Sequence, residues 1–346
     1  MSSTAAPERL ISADDHVDVG HDAVKAHLAA KYHGAYDAGL MAFASSMGNM
    51  RSAEANSMWR EQQGLGEPDR PVGMDVKRQH AANGRPGHSD AQARLDDMDV
   101  DGVEASVSYC EVSAFRYLYL IEDGWKESTR AFNLALADFA SAGCKSLQLP
   151  VYPAELGLPD YWDTRYDPLW TAISDADLQI CLHIGLNTGL DDLARRDPTP
   201  QKGIFVPLVA LSAAEPLGMW IMGGVFERYP KLKVVFVEPG LGWVAWWLYI
   251  VDDLAARQGY EFPAIAQPPS HYFHRNVFLT FIDEPHAIRM AKETLGIENI
   301  MWSSDYPHPV SSWPNSRALV EKMFHGVPDH ERELVVSGNA ARVWNL

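Results

Sequence analysis

The chain has 346 residues, room for one large α/β unit or two modest domains, and its 47% hydrophobic and 22% charged residues exclude global disorder. Twenty-nine Lys and Arg against 46 Asp and Glu leave a formal charge of −17, which excludes nucleic acid and an anionic membrane surface as expected partners. No run of about 18 apolar residues occurs.

The opening stretch, Met1–Arg9, is small, polar and weakly charged, so neither a signal peptide nor an anchor is expected. The first strand is Leu10–Ala13. Residues 20–95 then interrupt any alternation with methionines, glycines and histidines, and read as an inserted cap or loop region over the mouth of a single domain, 1–346. A surface excursion is the plainer alternative. Further strands are expected at Val103–Tyr109, Ser146–Val151, Gln179–His183, Lys233–Val237, Val277–Phe281 and Asn299–Ser303, with helices at Ser128–Ser141, Trp243–Leu254, Pro285–Glu293, Asn315–His325 and Asp329–Val343. Apolar strands alternating with helices predict a parallel sheet covered on both faces. A closed barrel and an open doubly wound sheet both fit. No G-x-G-x-x-G or Walker-type loop follows a strand, which favours the barrel. The odd count of three cysteines, Cys110, Cys144 and Cys181, each beside apolar residues, reads as reduced core thiols of a cytoplasmic protein.

Polar residues at the C-terminal ends of parallel strands carry weight, because that face of a barrel holds the chemistry. Asp14 and His16 are two apart on the first strand and point to one side. His183 ends an apolar strand, Glu238 follows four apolar residues, and Asp305 and His308 follow the last strand. Each has a plainer reading: His183 as a hydrogen-bonded core residue, Glu238 as a solvated or turn-capping carboxylate, Asp305 as a turn former, His308 as a loop residue. Their coincidence at one end of several strands is the signal. Asp14, His16, His183 and Asp305 together make a donor set for Zn²⁺, with Mn²⁺ or Fe²⁺ as alternatives and a position left for water.

At these residues the chain resembles the amidohydrolase superfamily, in its amidohydrolase-2 branch of metal-dependent hydrolases and decarboxylases. The resemblance is carried by Ile11–Val17, Ala93–Val103, Tyr166–Trp170, Leu182–Gly185, Phe236–Trp243, Ser303–His308 and Ser337–Arg342. It implies a distorted TIM-type (β/α)8 barrel with one divalent metal held by Asp14, His16, His183 and Asp305. Two departures stand out. Glu238 occupies the place where the decarboxylases carry a histidine that handles metal-bound water. Only seven strands are found, because the segment before Lys145–Val151 leaves no room for the usual third β/α unit. Either the barrel lacks that unit or the chain lacks a segment.

The expected function is hydrolysis of an amide, lactone, ester or activated ketone, with Glu238 as base, Asp305 sharing the proton, and His308 and Arg51 meeting the substrate. The alternative is nonoxidative decarboxylation of an aromatic or unsaturated acid whose charge Arg51 or Arg85 neutralises. A third reading is a barrel without catalysis. A small molecule is the expected partner, and the resemblance implies a homo-oligomer, a dimer.

Overall fold

The computed structural model describes residues 8–47, 61–62, 64, 84–110, 116–139, 146–184, 201–308 and 310–346. Arg51 and Cys144 lie outside them. Strand β1 is Ile11–Val17, followed by helices α1, His21–Ala26, and α2, His33–Met47. Helix α3, Ala91–Asp101, leads into β2, Ala105–Cys110, and α4, Trp125–Phe139, precedes β3, Ser146–Gln148. Helix α5, Asp167–Asp175, leads to β4, Gln179–His183. Three helices follow, α6 at Gln201–Leu211, α7 at Ala214–Met222 and α8 at Val225–Arg228, before β5, Lys233–Val237. The chain continues through α9, Val244–Gln258, α10, Pro269–Asn276, β6, Val277–Phe281, α11, Pro285–Thr294, and β7, Ile300–Trp302. It ends with α12, Ser316–Met323, then α13, Asp329–Glu333, a π turn at Leu334–Gly338, and α14, Asn339–Trp344.

The seven strands found among the described residues form a distorted (β/α) barrel. All pairings are parallel, in a two-stranded β1-β2 sheet and a five-stranded β3-β4-β5-β6-β7 sheet. The seam between β7 and β1 is closed by main-chain bonds: His16 N–H donates to the Tyr306 carbonyl at 2.6 Å, and Asp305 N–H to the Asp14 carbonyl at 2.9 Å. Between β2 and β3 no strand pairing occurs among the described residues. This is where the sequence runs one β/α unit short, and β2 and β3 are only half-buried, whereas every residue of β4 and β6 is buried.

Alternation along the strands sorts side chains into two apolar layers. Ile11, Ala13, Tyr109, Cys181, Val235, Val237, Phe278 and Met301 fill the lumen, which Val343 and Trp344 of α14 plug. Leu10, Ile180, Leu182, Val234, Phe236, Leu279, Phe281, Ile300 and Trp302 face the surrounding helices. Cys181 is buried, and neither it nor Cys110 forms a disulfide. No helix among the described residues is long and apolar enough to cross a membrane.

Three buried asparagines pin the entry ends of the strands. Asn276 Nδ2 donates to the carbonyls of Pro230 and Leu232 before β5, and Asn299 Nδ2 to those of His274 and Val277 at β6. Asn339 Nδ2 donates to Ile297 and Ile300 at β7. The single helix expected over Asp329–Val343 is interrupted by the π turn, which brings Asn339 to that position.

The sequence reading assigned no helix to α1, α2 or α3, and it also missed α5, α6, α7, α8 and α10. Pro207 inside α6, Pro216 in α7 and the Gly223–Gly224 pair break the helical pattern, and tertiary packing overrides it. Strand β1 runs four residues further than the expected Leu10–Ala13, because its polar end belongs to the site and shows no apolar alternation. In the 20–95 segment, α1 and α2 pack against α4 and the turn at Arg116–Leu120 through Val24, Leu28, Tyr36, Tyr117, Leu118 and Phe132. The start of α3 also falls inside that range.

Candidate metal and catalytic centre

The C-terminal ends of β1, β4, β5 and β7 converge on one polar cluster. Strand β1 slips against β2 between Ser12 and Asp15, a bulge that turns its end while Asp14 and His16 face the cluster. Asp14 Oδ1 lies 3.5 Å from His183 Nε2 and 3.8 Å from His16 Nε2. His16 Nε2 lies 3.0 Å from Asp305 Oδ1. Glu238 Oε2 stands 3.9 Å from His183 Nε2, and His308 Nδ1 is 2.8 Å from Asp305 Oδ1. The His308 ring stacks on His16, with centroids 3.8 Å apart.

Two backbone features aim the carboxylates. Glu238 and Asp305 are non-glycine residues in the left-handed region, at φ 62° and 56°. Such residues cost about 1–2 kcal/mol each and persist where the surroundings over-determine them. The Glu238 N–H donates to Thr280 Oγ1 at 2.7 Å, which holds that turn. The amides of the next turn, Leu241 and Gly242, are taken by the Glu284 carboxylate at 2.9 and 3.0 Å. That leaves Glu238 outside the capping role its sequence context allowed.

Buried polar atoms ordinarily find hydrogen-bond partners. Here both carboxylate oxygens of Asp14, both ring nitrogens of His16 and Nε2 of His183 are buried and have none among the described residues. Meanwhile His183 Nδ1 donates to the Ile184 carbonyl at 2.9 Å, which fixes the tautomer with the Nε2 lone pair toward the cluster. Donor atoms of Asp14, His16 and His183, and likewise of Asp14, Glu238 and Asp305, come within 4.8 Å of one another. Two imidazoles and two or three carboxylates with orphaned lone pairs fit a divalent cation.

The charges agree. Burial pushes the Glu238 carboxyl up, Asp305 and Asp14 add to it, and it reaches about 8. Burial would lower His183, but Asp14 and Glu238 outweigh it and raise the imidazole to about 9. Burial would raise Asp305, but His308 and His16 outweigh it and bring the carboxyl down to about 2. The surplus of carboxylates thus gathers protons onto His183 and Glu238, and a cation would compete for those places.

The structure therefore brings Asp14, His16, His183, Glu238, Asp305 and His308 together. Arg51 lies outside the described residues. Arg85 pairs with Asp97, 2.5 Å from its Oδ1, and stacks over Trp313. Two residues without an assigned role in the sequence reading belong to the site's frame. Asp15 is buried and bonded to Ser12, Ser304 and Tyr306. Arg94 is buried and pairs with Asp15 at 3.2 Å. Strand alternation sends Asp15 away from Asp14 and His16, but nothing in the pattern distinguishes it from a solvated acid.

A family model described as amidohydrolase matches residues 126–346. Similar solved structures include an amidohydrolase from Mycobacterium avium subsp. paratuberculosis, 17% identical, covering 99% of each chain with a TM-score of 0.72. A 5-carboxyvanillate decarboxylase from Sphingomonas paucimobilis is 21% identical, with a TM-score of 0.61 over 98% of this chain and 99% of that one. A 5-carboxyvanillate decarboxylase from Novosphingobium aromaticivorans, in complex with manganese and 4-hydroxy-3-methoxy-5-nitrobenzoic acid, is 14% identical, with a TM-score of 0.67 over 98% and 97%. At these identities the structures speak for the shared fold. With well over half its length matched by the family model, the chain belongs to the amidohydrolase family of enzymes, in its amidohydrolase-2 branch.

Proposed function

We propose that this enzyme is a metal-dependent carboxy-lyase that removes CO₂ nonoxidatively from an aromatic acid bearing a hydroxyl next to the carboxylate. The observation that carries the metal dependence is the orphaned donor set of Asp14, His16 and His183 beside Asp305. The choice of decarboxylation over the hydrolysis expected from sequence is supported by similarity along nearly the whole chain to decarboxylases of such acids. We take the domain to be a single barrel, 1–346, with 20–95 as its cap.

A divalent cation, Zn²⁺ or Mn²⁺, would be held by Asp14, His16, His183 and Asp305 and would supply the positive charge that binds the acid's oxygens and draws electrons from the ring. Glu238, 3.9 Å from His183 Nε2, is the residue we assign to give a proton to the ring carbon that carries the carboxylate. As that carbon–hydrogen bond forms, the carbon–carbon bond breaks, its electrons restore the aromatic ring, and CO₂ leaves. Glu238 then recovers its proton from solvent. Asp305 and His308, 2.8 Å apart, form a second proton-holding pair beside the same position, where His308 meets the substrate.

Hydrolysis is the second reading, favoured by one feature: a carboxylate at position 238 suits removal of a proton from water. We further take the working species to be a homodimer acting on a small molecule in the cytoplasm. The exposed Trp246 and Tyr249 on α9 support a second copy, and the buried thiol of Cys181 supports a reducing compartment. Elemental analysis followed by incubation with a panel of hydroxybenzoates tests the main reading. A bound transition metal and CO₂ release are expected. Turnover of esters or lactones with no CO₂ from any acid would overturn decarboxylation in favour of hydrolysis.

A further inference from the structure

Asp15 lies between two members of the cluster, yet its side chain turns away from it. Its Oδ1 accepts from Ser12 Oγ at 2.8 Å, Ser304 Oγ at 2.6 Å and the Tyr306 N–H at 3.0 Å, so the residues on both sides of Asp305 hang on one oxygen. Its Oδ2 faces Arg94 Nη2 at 3.2 Å. Arg94 Nη1 in turn donates to the His16 carbonyl at 2.8 Å, and the guanidinium lies 4.9 Å from the centre of the Tyr306 ring. With the two main-chain bonds across the β7–β1 seam, every backbone segment that carries Asp14, His16 and Asp305 is tied to this one ion pair.

We infer that Asp15 and Arg94 are positioning residues for the cation, holding Asp305 in its left-handed turn so that its carboxylate meets His16 across the seam. The inference rests on the metal reading above. The physical reason is the narrow tolerance of metal–ligand distances, about 0.2 Å, against a strained turn that relaxes when its amide and flanking hydroxyl lose their acceptor. Neither side chain reaches the donor cluster, so their effect passes through the backbone. The Arg85–Asp97–Tyr306 contacts brace the same loop from outside, with the Tyr306 hydroxyl donating to Asp97.

The full chain, stripped of metal, is titrated with Mn²⁺, and the wild type separately with Zn²⁺, against a chromogenic chelator, and the melting of the metal-free form is followed in parallel. Asp15→Ala and Arg94→Met are expected to weaken Mn²⁺ binding by about 10- to 100-fold, as loss of outer supports does elsewhere. Ser304→Ala removes one bond to Asp15 and should weaken it by about tenfold, at the low end of such effects. Asp101→Asn serves as the control. Asp101 accepts from Ser316 N–H at 2.8 Å at the start of α12, away from the ligand segments, so this variant should melt lower yet bind Mn²⁺ like the parent. A merely structural role for Asp15 and Arg94 would give that same pattern, and parent-like affinity in their variants overturns the inference. Should Asp15→Ala fail to fold, Ser304→Ala decides: unchanged affinity overturns it. A wild-type chain that takes up neither Mn²⁺ nor Zn²⁺ overturns the metal reading and the inference with it. A wild type that binds while the variants bind equally removes the positioning role alone.

Discussion

The two ends of this barrel are both polar and both buried, and they differ in how their polar atoms are satisfied. At the entry end, the side-chain amides of Asn276, Asn299 and Asn339 each donate to two main-chain carbonyls at or just before the start of β5, β6 and β7 respectively. At the exit end, Asp14, His16 and His183 bring five buried donor or acceptor atoms together with no hydrogen-bond partner among the described residues. A satisfied buried polar group contributes about 1 kcal/mol to stability, whereas an unsatisfied one costs about 1–3 kcal/mol. One end therefore stabilises the fold. Among the described residues the other carries a deficit that a bound cation would repair, which is the physical mark of a functional site.

Exchanging damage between the ends breaks the comparison if it is wrong. His183→Ala should remove the cation and at least about 10³-fold of the activity, since metal charge stabilisation is worth several kcal/mol, while the fold persists because the side chain holds no strand in place. Metal analysis beside circular dichroism checks this, and stoichiometric metal in the variant would refute the ligand assignment. Glu238→Gln should keep the metal and lower kcat by about 10²–10⁴-fold with little change in KM. A drop of less than about threefold would return Glu238 to a passive role, and metal loss reversed by excess cation would make it a ligand.

The opposite end predicts the opposite signature. Asn339→Ala orphans the carbonyls of Ile297 and Ile300 and should cost about 2–3 kcal/mol, lowering Tm by about 5 °C with metal content and turnover intact below the transition. Loss of metal in this variant would mean that the two ends are not separable. The smallest effect concerns Asp97, which braces the site loop through Arg85 and Tyr306. Burial would raise its carboxyl, but those two partners outweigh it and hold it below its ordinary value of 3.8. A lowered acid contributes stability that is present above the unfolded value and is lost as the pH falls through the folded one. Wild type should therefore lose Tm more steeply than Asp97→Asn below about pH 4, and parallel curves there would show that the brace contributes nothing.

Much of the barrel was legible because its strands are short apolar runs with both faces covered. Gln179–His183, Lys233–Val237 and Val277–Phe281 are found at the bounds expected for them. The convergence of Asp14, His16, His183 and Asp305 was legible for a related reason: parallel strands put their C-terminal ends on one face, so polar residues there must meet. The short third unit was visible as a spacing, and among the described residues no strand pairing joins β2 to β3. The helices over 201–228 were not legible, because prolines and glycines interrupt their periodicity and only packing on the sheet compensates.

The sequence by itself determined a parallel barrel, the end of it that is polar, and the kinds of donor atom gathered there, because strand period and residue chemistry are local properties. Only the tertiary structure decided which neighbouring carboxylate does which job. Asp14 and Asp15 are adjacent and chemically identical, yet the carboxylate of one has no hydrogen-bond partner among the described residues and the other is saturated by Ser12, Ser304, Tyr306 and Arg94. That division depends on residues almost 300 positions away across the β7–β1 seam, and on the left-handed turns that aim Glu238 and Asp305. No local pattern contains them, since burial and hydrogen-bond satisfaction are properties of the closed barrel.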